Sequence, residues 1–224
     1  MKQLNDIFDN IYILTVKDSI RESRIKKRFE GLNYEFFYGV DGTKVDKQYY
    51  ESKGSIRTYG QLGCTLSHVN LYKKIVDENI EMALILEDDC IFNDNFKNFK
   101  MYYDELPDNW EMVYIGYLPM SNIYKSNFKN IFYKVQVEKN IKHVCGTHCI
   151  IIKKDFAEKM YNFNKDGIYT ADGAFTELMK KNNETMYAFV PSMADQDKFE
   201  CLSVNVDKEM IEKTGSHVKY MEKK

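Results

Sequence analysis

The run Ala83-Leu84-Ile85-Leu86-Glu87-Asp88-Asp89-Cys90-Ile91-Phe92 constrains the fold of this chain more than any other stretch. Four apolar residues pass directly into three carboxylates, and the chain then turns apolar again. A short, unbroken apolar run bounded by polar residues suits a strand covered on both faces, the kind that α/β sheets bury between helix layers. In such sheets ligands bind at the carboxyl ends of the strands. Adjacent carboxylates repel one another unless a cation neutralises them. Hard divalent cations such as Mg²⁺ and Mn²⁺ take oxygen ligands, commonly one or two carboxylates plus substrate phosphates. The stretch reads as a shelf for a metal-bound phosphate compound. An acidic turn or helix cap after a strand is the plainer alternative.

The flanks fit an α/β sheet. A strand begins at Ile11-Tyr12-Ile13-Leu14 and a helix spans 20–29, capped by Asp18 or Ser19 and stopped by Gly31. A second strand at 34–38 completes a βαβ unit with a parallel pair. Residues 43–59 read as an irregular polar excursion. In the next helix, from Gly60 to about Asn79, Leu62, Leu66, Val69, Tyr72 and Val76 share one face. Further on come a helix near 94–105, strands at 112–116 and 143–152, a helix at 154–162, a helix opened by Thr170-Ala171-Asp172-Gly173, and a strand before Pro191. The expectation is one α/β domain over 1–205 with a mostly parallel central sheet flanked by helices, then a charged tail or helix over 206–224.

Composition excludes several classes. Lys+Arg 32 against Asp+Glu 34 leaves a net charge of −2, with no global basic field for nucleic acid. No apolar run approaches the roughly 18–20 residues of a membrane-crossing helix, and the polar start Met1 to Asn10 is unlike a signal peptide. Five widely spaced cysteines without a paired motif point to reduced thiols and a cytoplasmic setting. The 17 tyrosines suit stacking on sugars or bases.

Other constellations are weaker. His143, Cys145, His148 and Cys149 resemble a zinc cluster, but on a strand at about 3.3 Å per residue the ends lie about 20 Å apart, too far for one tetrahedral ion. Val40-Asp41-Gly42-Thr43 lacks the nucleophilic aspartate a phosphatase needs two residues earlier, where Gly39 stands. Neither a phosphate-cradling glycine loop nor a serine nucleophile elbow is present. Arg21 and Arg24 share a helix face near the mouth of the first strand, where they face either solvent or a diphosphate.

Several segments occur together in a known order and spacing: Ile11–Arg24, Gly63-Cys64-Thr65-Leu66-Ser67-His68, Leu86–Phe92, Trp110–Gly116 and Val144-Cys145-Gly146-Thr147. Across 11–205 the chain resembles glycosyltransferase family 25, whose members include bacterial lipooligosaccharide galactosyltransferases and collagen galactosyltransferases. Asp172 matches a family aspartate that opens a helix after a Pro-Val pair, here Thr170-Ala171, and Gln196 and Ser203 fit a looser pattern after Pro191. The resemblance implies a GT-A type, Rossmann-like fold and a UDP-sugar donor, most often UDP-galactose, used with Mn²⁺ (or Mg²⁺) and inversion at the anomeric carbon. The acceptor is then a saccharide or glycolipid hydroxyl, reached with possible peripheral contact at the inner membrane face, in an oligomeric state left open. Asp89, with Glu87 or Asp88 assisting, is expected to hold the metal. Thr15, Arg21, Arg24, Val40, Asp41, Gly42, Ser67, His68 and Asp88 are expected around the donor, and Asp172 is expected as the base. A metal-dependent nucleotidyltransferase and an inactive nucleotide- or glycan-binding module share the same shelf logic and stand as alternatives.

Overall fold

The structure is a computed structural model that describes residues 2–17, 21–54, 58–119, 132–134, 144–182 and 186–197. Strand β1 (Asn10–Thr15), helix α1 (Glu22–Arg28) and strand β2 (Glu35–Tyr38) form the expected βαβ unit, with Tyr12 opposite Glu35 in a parallel pair. The expected start of α1, 18–20, lies outside the described residues. The supposedly irregular stretch after β2 instead holds a 3-10 turn, Gly42–Lys44, and a short helix α2 (Lys47–Ser52). Each is capped by an aspartate: Asp41 accepts from Thr43 N–H, and Asp46 from Gln48 and Tyr49 N–H.

Helix α3 (Tyr59–Asp77) starts on a capping box, in which Thr58 accepts from the Gln61 amide while the Gln61 side chain accepts from the Thr58 amide. It leads into β3 (Met82–Glu87), which pairs parallel with the other side of β1. Then follow β4 (Cys90–Phe92), α4 (Phe99–Asp104), β5 (Met112–Pro119), β6 (Phe132–Lys134), β7 (Val144–Lys153), α5 (Lys154–Asn164), α6 (Ala171–Asn182), β8 (Met186–Phe189) and β9 (Ala194–Gln196). The sheet order is β2-β1-β3-β7-β5-β8-β6, with β9 joining β4 to β5. Strands β2, β1, β3, β5 and β8 run one way; β7 and β6 run against them. The sheet is therefore mostly parallel, with one reversed strand at its centre.

Strand β3 is buried on both faces as its composition requires. Ala83 and Ile85 enter one core with Leu71, Tyr72, Ile75 and Phe156 from α3 and α5. Leu84 and Leu86 enter the other, with Ile25 of α1 and Phe99 of α4. All four β3 residues have 0% exposure. At about 1.5–3 kcal/mol per fully buried aliphatic side chain, β3 is firmly anchored in register. Its carboxylates consequently emerge at a fixed place, the sheet's carboxyl edge.

Candidate active site

The residues at that edge surround a cleft of about 280 Å³. It is bounded by Leu14, Thr15 and Val16 at the end of β1, Arg21 before α1, Val40 to Thr43 after β2, Tyr59, Gly60, Gly63, Cys64 and Ser67 of α3, and Glu87 and Asp88 of β3 and its exit. Close backbone packing builds the wall between the β2 loop and α3. A Cβ on Gly42 would lie 1.8 Å from the Tyr59 carbonyl oxygen, and one on Gly63 would lie 2.7 Å from that of Val40. Ser67 Oγ bridges the same wall, accepting from Val40 N–H at 2.7 Å and donating to the Gly63 carbonyl at 2.6 Å. Asp41 Oδ1 is engaged by the Thr43 amide and hydroxyl, and the hydroxyl bond leads the causes that lower its pKa.

The three carboxylates have different surroundings. Glu87 Oε1 accepts from Thr147 Oγ1 at 2.5 Å, lies 2.9 Å from His68 Nε2 and 3.9 Å from Cys64 Sγ. Behind His68, the Tyr72 hydroxyl lies 3.3 Å from Nδ1. Burial works against the Glu87 charge, but the bonds from His68 and Thr147 outweigh it and hold the carboxyl at about 2. Asp88 pairs with Arg21 and accepts from Thr15 Oγ1 at 2.8 Å; burial still leaves it above the ordinary carboxylate value. Asp89 is 8% exposed, and its Oδ2 accepts from Gln196 Nε2 at 3.1 Å. Its Oδ1 is buried without a hydrogen-bond partner. Burial first, then the charges of Glu87 and Asp88, push Asp89 up to about 8.

Asp172 occupies the second position of α6. Thr170, not Asp172, caps the helix by accepting from Gly173 N–H at 3.1 Å. Asp172 Oδ1 accepts from Gly173 N–H at 2.8 Å, and its Oδ2 accepts at 3.3 Å from Gly146 N–H on β7. Gly146 has φ +87°, which turns its amide in a conformation that L side chains rarely adopt. The Asp172 charge is felt at Cys64 and Tyr114, whose groups burial chiefly pushes upward. Asp172 does not itself line the cleft; its charge reaches Cys64, which does.

A family model described as glycosyltransferase family 25 (LPS biosynthesis protein) matches residues 8–175. The chain belongs to glycosyltransferase family 25. It is 38% identical over 63 residues to human procollagen galactosyltransferase 2, covering 26% of this chain and 10% of that protein. It is 26% identical over 208 residues to the procollagen lysyl hydroxylase and glycosyltransferase of Acanthamoeba polyphaga mimivirus, covering 84% of this chain and 22% of that protein. The family 25 chain thus spans a minor part of these relatives' length. Among solved structures, a glycosyltransferase involved in glycosylation of the major capsid of PBCV-1 aligns over 78% of this chain and 76% of its own, at 11% identity and TM-score 0.38.

Of the residues expected in this family 25 site, Thr15, Arg21, Val40, Asp41, Gly42, Ser67, Glu87 and Asp88 line one cleft. His68 stands behind Glu87, 1% exposed. Arg24 points to the exposed side of α1, away from the cleft lining. Asp89 lies beside the cleft, tied to β9 through Gln196. His143 and Ser203 fall outside the described residues, as does the 206–224 tail. His148 is buried beside β9, its Nε2 3.3 Å from the Ala194 carbonyl oxygen. The group of three metal-ligating side chains that does converge among the described residues is Cys64, His68 and Glu87, with ligand atoms within 4.8 Å of one another.

Sequence reasoning gave no role to Arg28, Thr147 or Tyr59. Arg28 donates to the carbonyls of Asp88 and Cys90 and pairs with Asp197 at 2.7 Å, fastening α1 to the shelf and to the end of β9. Its place seven residues after Arg21, two helical turns on, was a usable signal, since both reach Asp88. Thr147 stands 60 positions from Glu87, and only sheet register joins them.

Proposed function

We propose that this chain transfers a hexose, most consistently galactose from UDP-galactose, to a saccharide hydroxyl of a lipooligosaccharide or other glycan. Residues 1–205 form the catalytic domain in this reading, acting at the cytoplasmic side on a saccharide or glycolipid. Family membership supports glycosyl transfer, and the named galactosyltransferase relatives support the sugar. The observation that carries the reading is the buried, unpartnered Asp89 Oδ1 beside a cleft at the carboxyl ends of β1, β2 and β3. An orphaned carboxylate oxygen in this position fits a hard divalent cation, Mn²⁺ or Mg²⁺, with Glu87 as the second carboxylate. When bound, such an ion supplies neutralising charge for the departing nucleotide.

The protein's own residues do the rest. Arg21 and Thr15 fix Asp88, which keeps the shelf from collapsing by mutual repulsion. The β2 loop, pinned by Ser67, holds the donor nucleoside. Asp172, its carboxylate steadied by two amides, takes the proton of the acceptor hydroxyl as that oxygen attacks the anomeric carbon with inversion. The test is release of UDP from UDP-galactose, UDP-glucose and UDP-N-acetylglucosamine, with and without Mn²⁺ and saccharide acceptors. UDP release and sugar transfer from UDP-galactose, dependent on Mn²⁺, is the expected result. Binding without turnover for every donor and acceptor refutes the enzyme reading, and pyrophosphate release from nucleoside triphosphates replaces it with nucleotidyl transfer.

A further inference from the structure

The cleft is chemically uneven. One part carries Arg21, Asp88 and Glu87; another, built by the β2 loop against the start of α3, carries Asp41, Gly42, Thr43 and Tyr59. Among the described residues five large apolar side chains are exposed, and two of them, Val16 at 43% and Tyr59 at 36%, line this same cleft. Leaving such surface in contact with water is unfavourable unless something covers it in use. The diphosphate is charged and a sugar offers only its narrow C–H face, so the planar base is the part of a nucleotide-sugar with the broadest surface to lay on an aromatic ring.

Tyr59 is also rigidly mounted. It is the first residue of a 19-residue helix whose start is locked by the Thr58–Gln61 capping box. Its carbonyl is packed so closely on Gly42 that no side chain fits there. The Lys47 ammonium lies over its ring, 5.5 Å from the centroid. A platform held this way loses little freedom when a ligand stacks on it.

We propose that Tyr59 is a donor-binding residue on whose ring the nucleobase stacks, with Val16 as a second apolar contact, so that the diphosphate is directed toward Arg21 and the carboxylates. This rests on the reading of the cleft as the nucleotide-sugar site. The experiment measures binding of UDP and of inorganic pyrophosphate, each with Mn²⁺, to the wild-type chain and to Tyr59→Ala and Tyr59→Phe. Pyrophosphate reports on the charged end alone. Tyr59→Ala is expected to weaken UDP binding by about five- to a hundredfold, the range for loss of one base–aromatic stack. Pyrophosphate binding should stay within about twofold, and Tyr59→Phe should bind both like wild type. If Tyr59→Ala keeps wild-type UDP affinity, or loses UDP and pyrophosphate equally, the stacking role is wrong. Wild type binding neither UDP nor pyrophosphate with Mn²⁺ refutes the donor reading itself, a different failure.

Discussion

Glu87 and Asp89 leave the same strand end two residues apart, yet they sit in opposite environments. Glu87 faces α3 and β7, where His68 and Thr147 converge on one of its oxygens. Asp89 faces the β4–β9 pair, where Gln196 serves one oxygen and the other is buried without a partner. The first carboxylate is held ionised at about 2; the second is pushed up to about 8. Both are largely withdrawn from water; at Glu87 the His68 and Thr147 bonds and the imidazole charge overcome that burial, while at Asp89 the neighbouring carboxylates add to it. On the Glu87 side, protein donors converge on one carboxylate oxygen. The Asp89 side is complete only with a proton or a cation.

The largest expected effect lies on the Glu87 side, at the residue β7 holds through its neighbouring amide. Asp172→Asn should reduce turnover by about 10²–10⁴-fold, the usual cost of losing a general base. Since Thr170 is the cap, the helix start should survive, with melting temperature and donor affinity little changed. Steady-state kinetics with UDP binding checks both halves. Turnover within about threefold of wild type removes Asp172 from the mechanism and leaves Asp195 and Asp197 as the next candidates.

Asp89→Asn tests the other side. The amide cannot supply the anionic oxygen, so Mn²⁺-dependent UDP binding should weaken by about 100-fold or more, with the fold retained. Calorimetric titration of UDP with Mn²⁺ reads this. Unchanged affinity means the orphan oxygen is not a ligand, and the contrast between the two carboxylates would be structural only.

How much of this contrast was readable in the sequence follows from distance along the chain. The buried strand, its acid exit and the Gly63–His68 helix segment are local patterns, and the structure places them as expected. The partners that separate Glu87 from Asp89 are not local. Thr147 and Gln196 reach them from 60 and 107 positions away, through the β3–β7 and β4–β9 pairings. Nothing in a single strand announces which neighbour it will take, or that β7 will run against its neighbours. The two Asp-capped turns after β2 were legible in principle, but a short polar stretch offers no periodicity to find them by. Tyr59 was hidden differently: it stands in one of the chain's many aromatic positions, and only its exposure in the cleft sets it apart.

A smaller effect should come from Thr147→Val, which keeps the shape and removes one donor to Glu87. A hydrogen bond to a charged group contributes about 1.5–3 kcal/mol, so a loss toward the lower end is expected because His68 still serves the same oxygen. Chemical denaturation measures it, and Thr147→Ser should recover most of the loss. Equal stability of Thr147→Val and wild type would show that Glu87 does not need its second donor.

A different readout is a pH dependence between about pH 5 and 8 whose main source is Asp89. A carboxyl whose folded pKa is raised favours the folded state while it stays protonated. That advantage fades as pH rises from the unfolded value, about 3.9, toward the folded value of about 8. Glu87 has the opposite sign: its contribution is present above its unfolded pKa and is lost only as pH falls toward about 2. Across pH 5 to 8 Glu87 therefore contributes a constant, and the slope reports mainly the Asp89 side, with a lesser part of the same sign from Asp88, whose pKa is also raised. In chelator, the melting temperature should fall by several degrees over this window, since 1 kcal/mol corresponds to about 2–4 °C for a chain of this size. Adding Mn²⁺ should flatten the slope by binding the deprotonated form, and Asp89→Asn should flatten it with or without Mn²⁺. A wild-type slope that Mn²⁺ leaves untouched would place the cation elsewhere, with Cys64, His68 and Glu87 the first group to test by the same measurement.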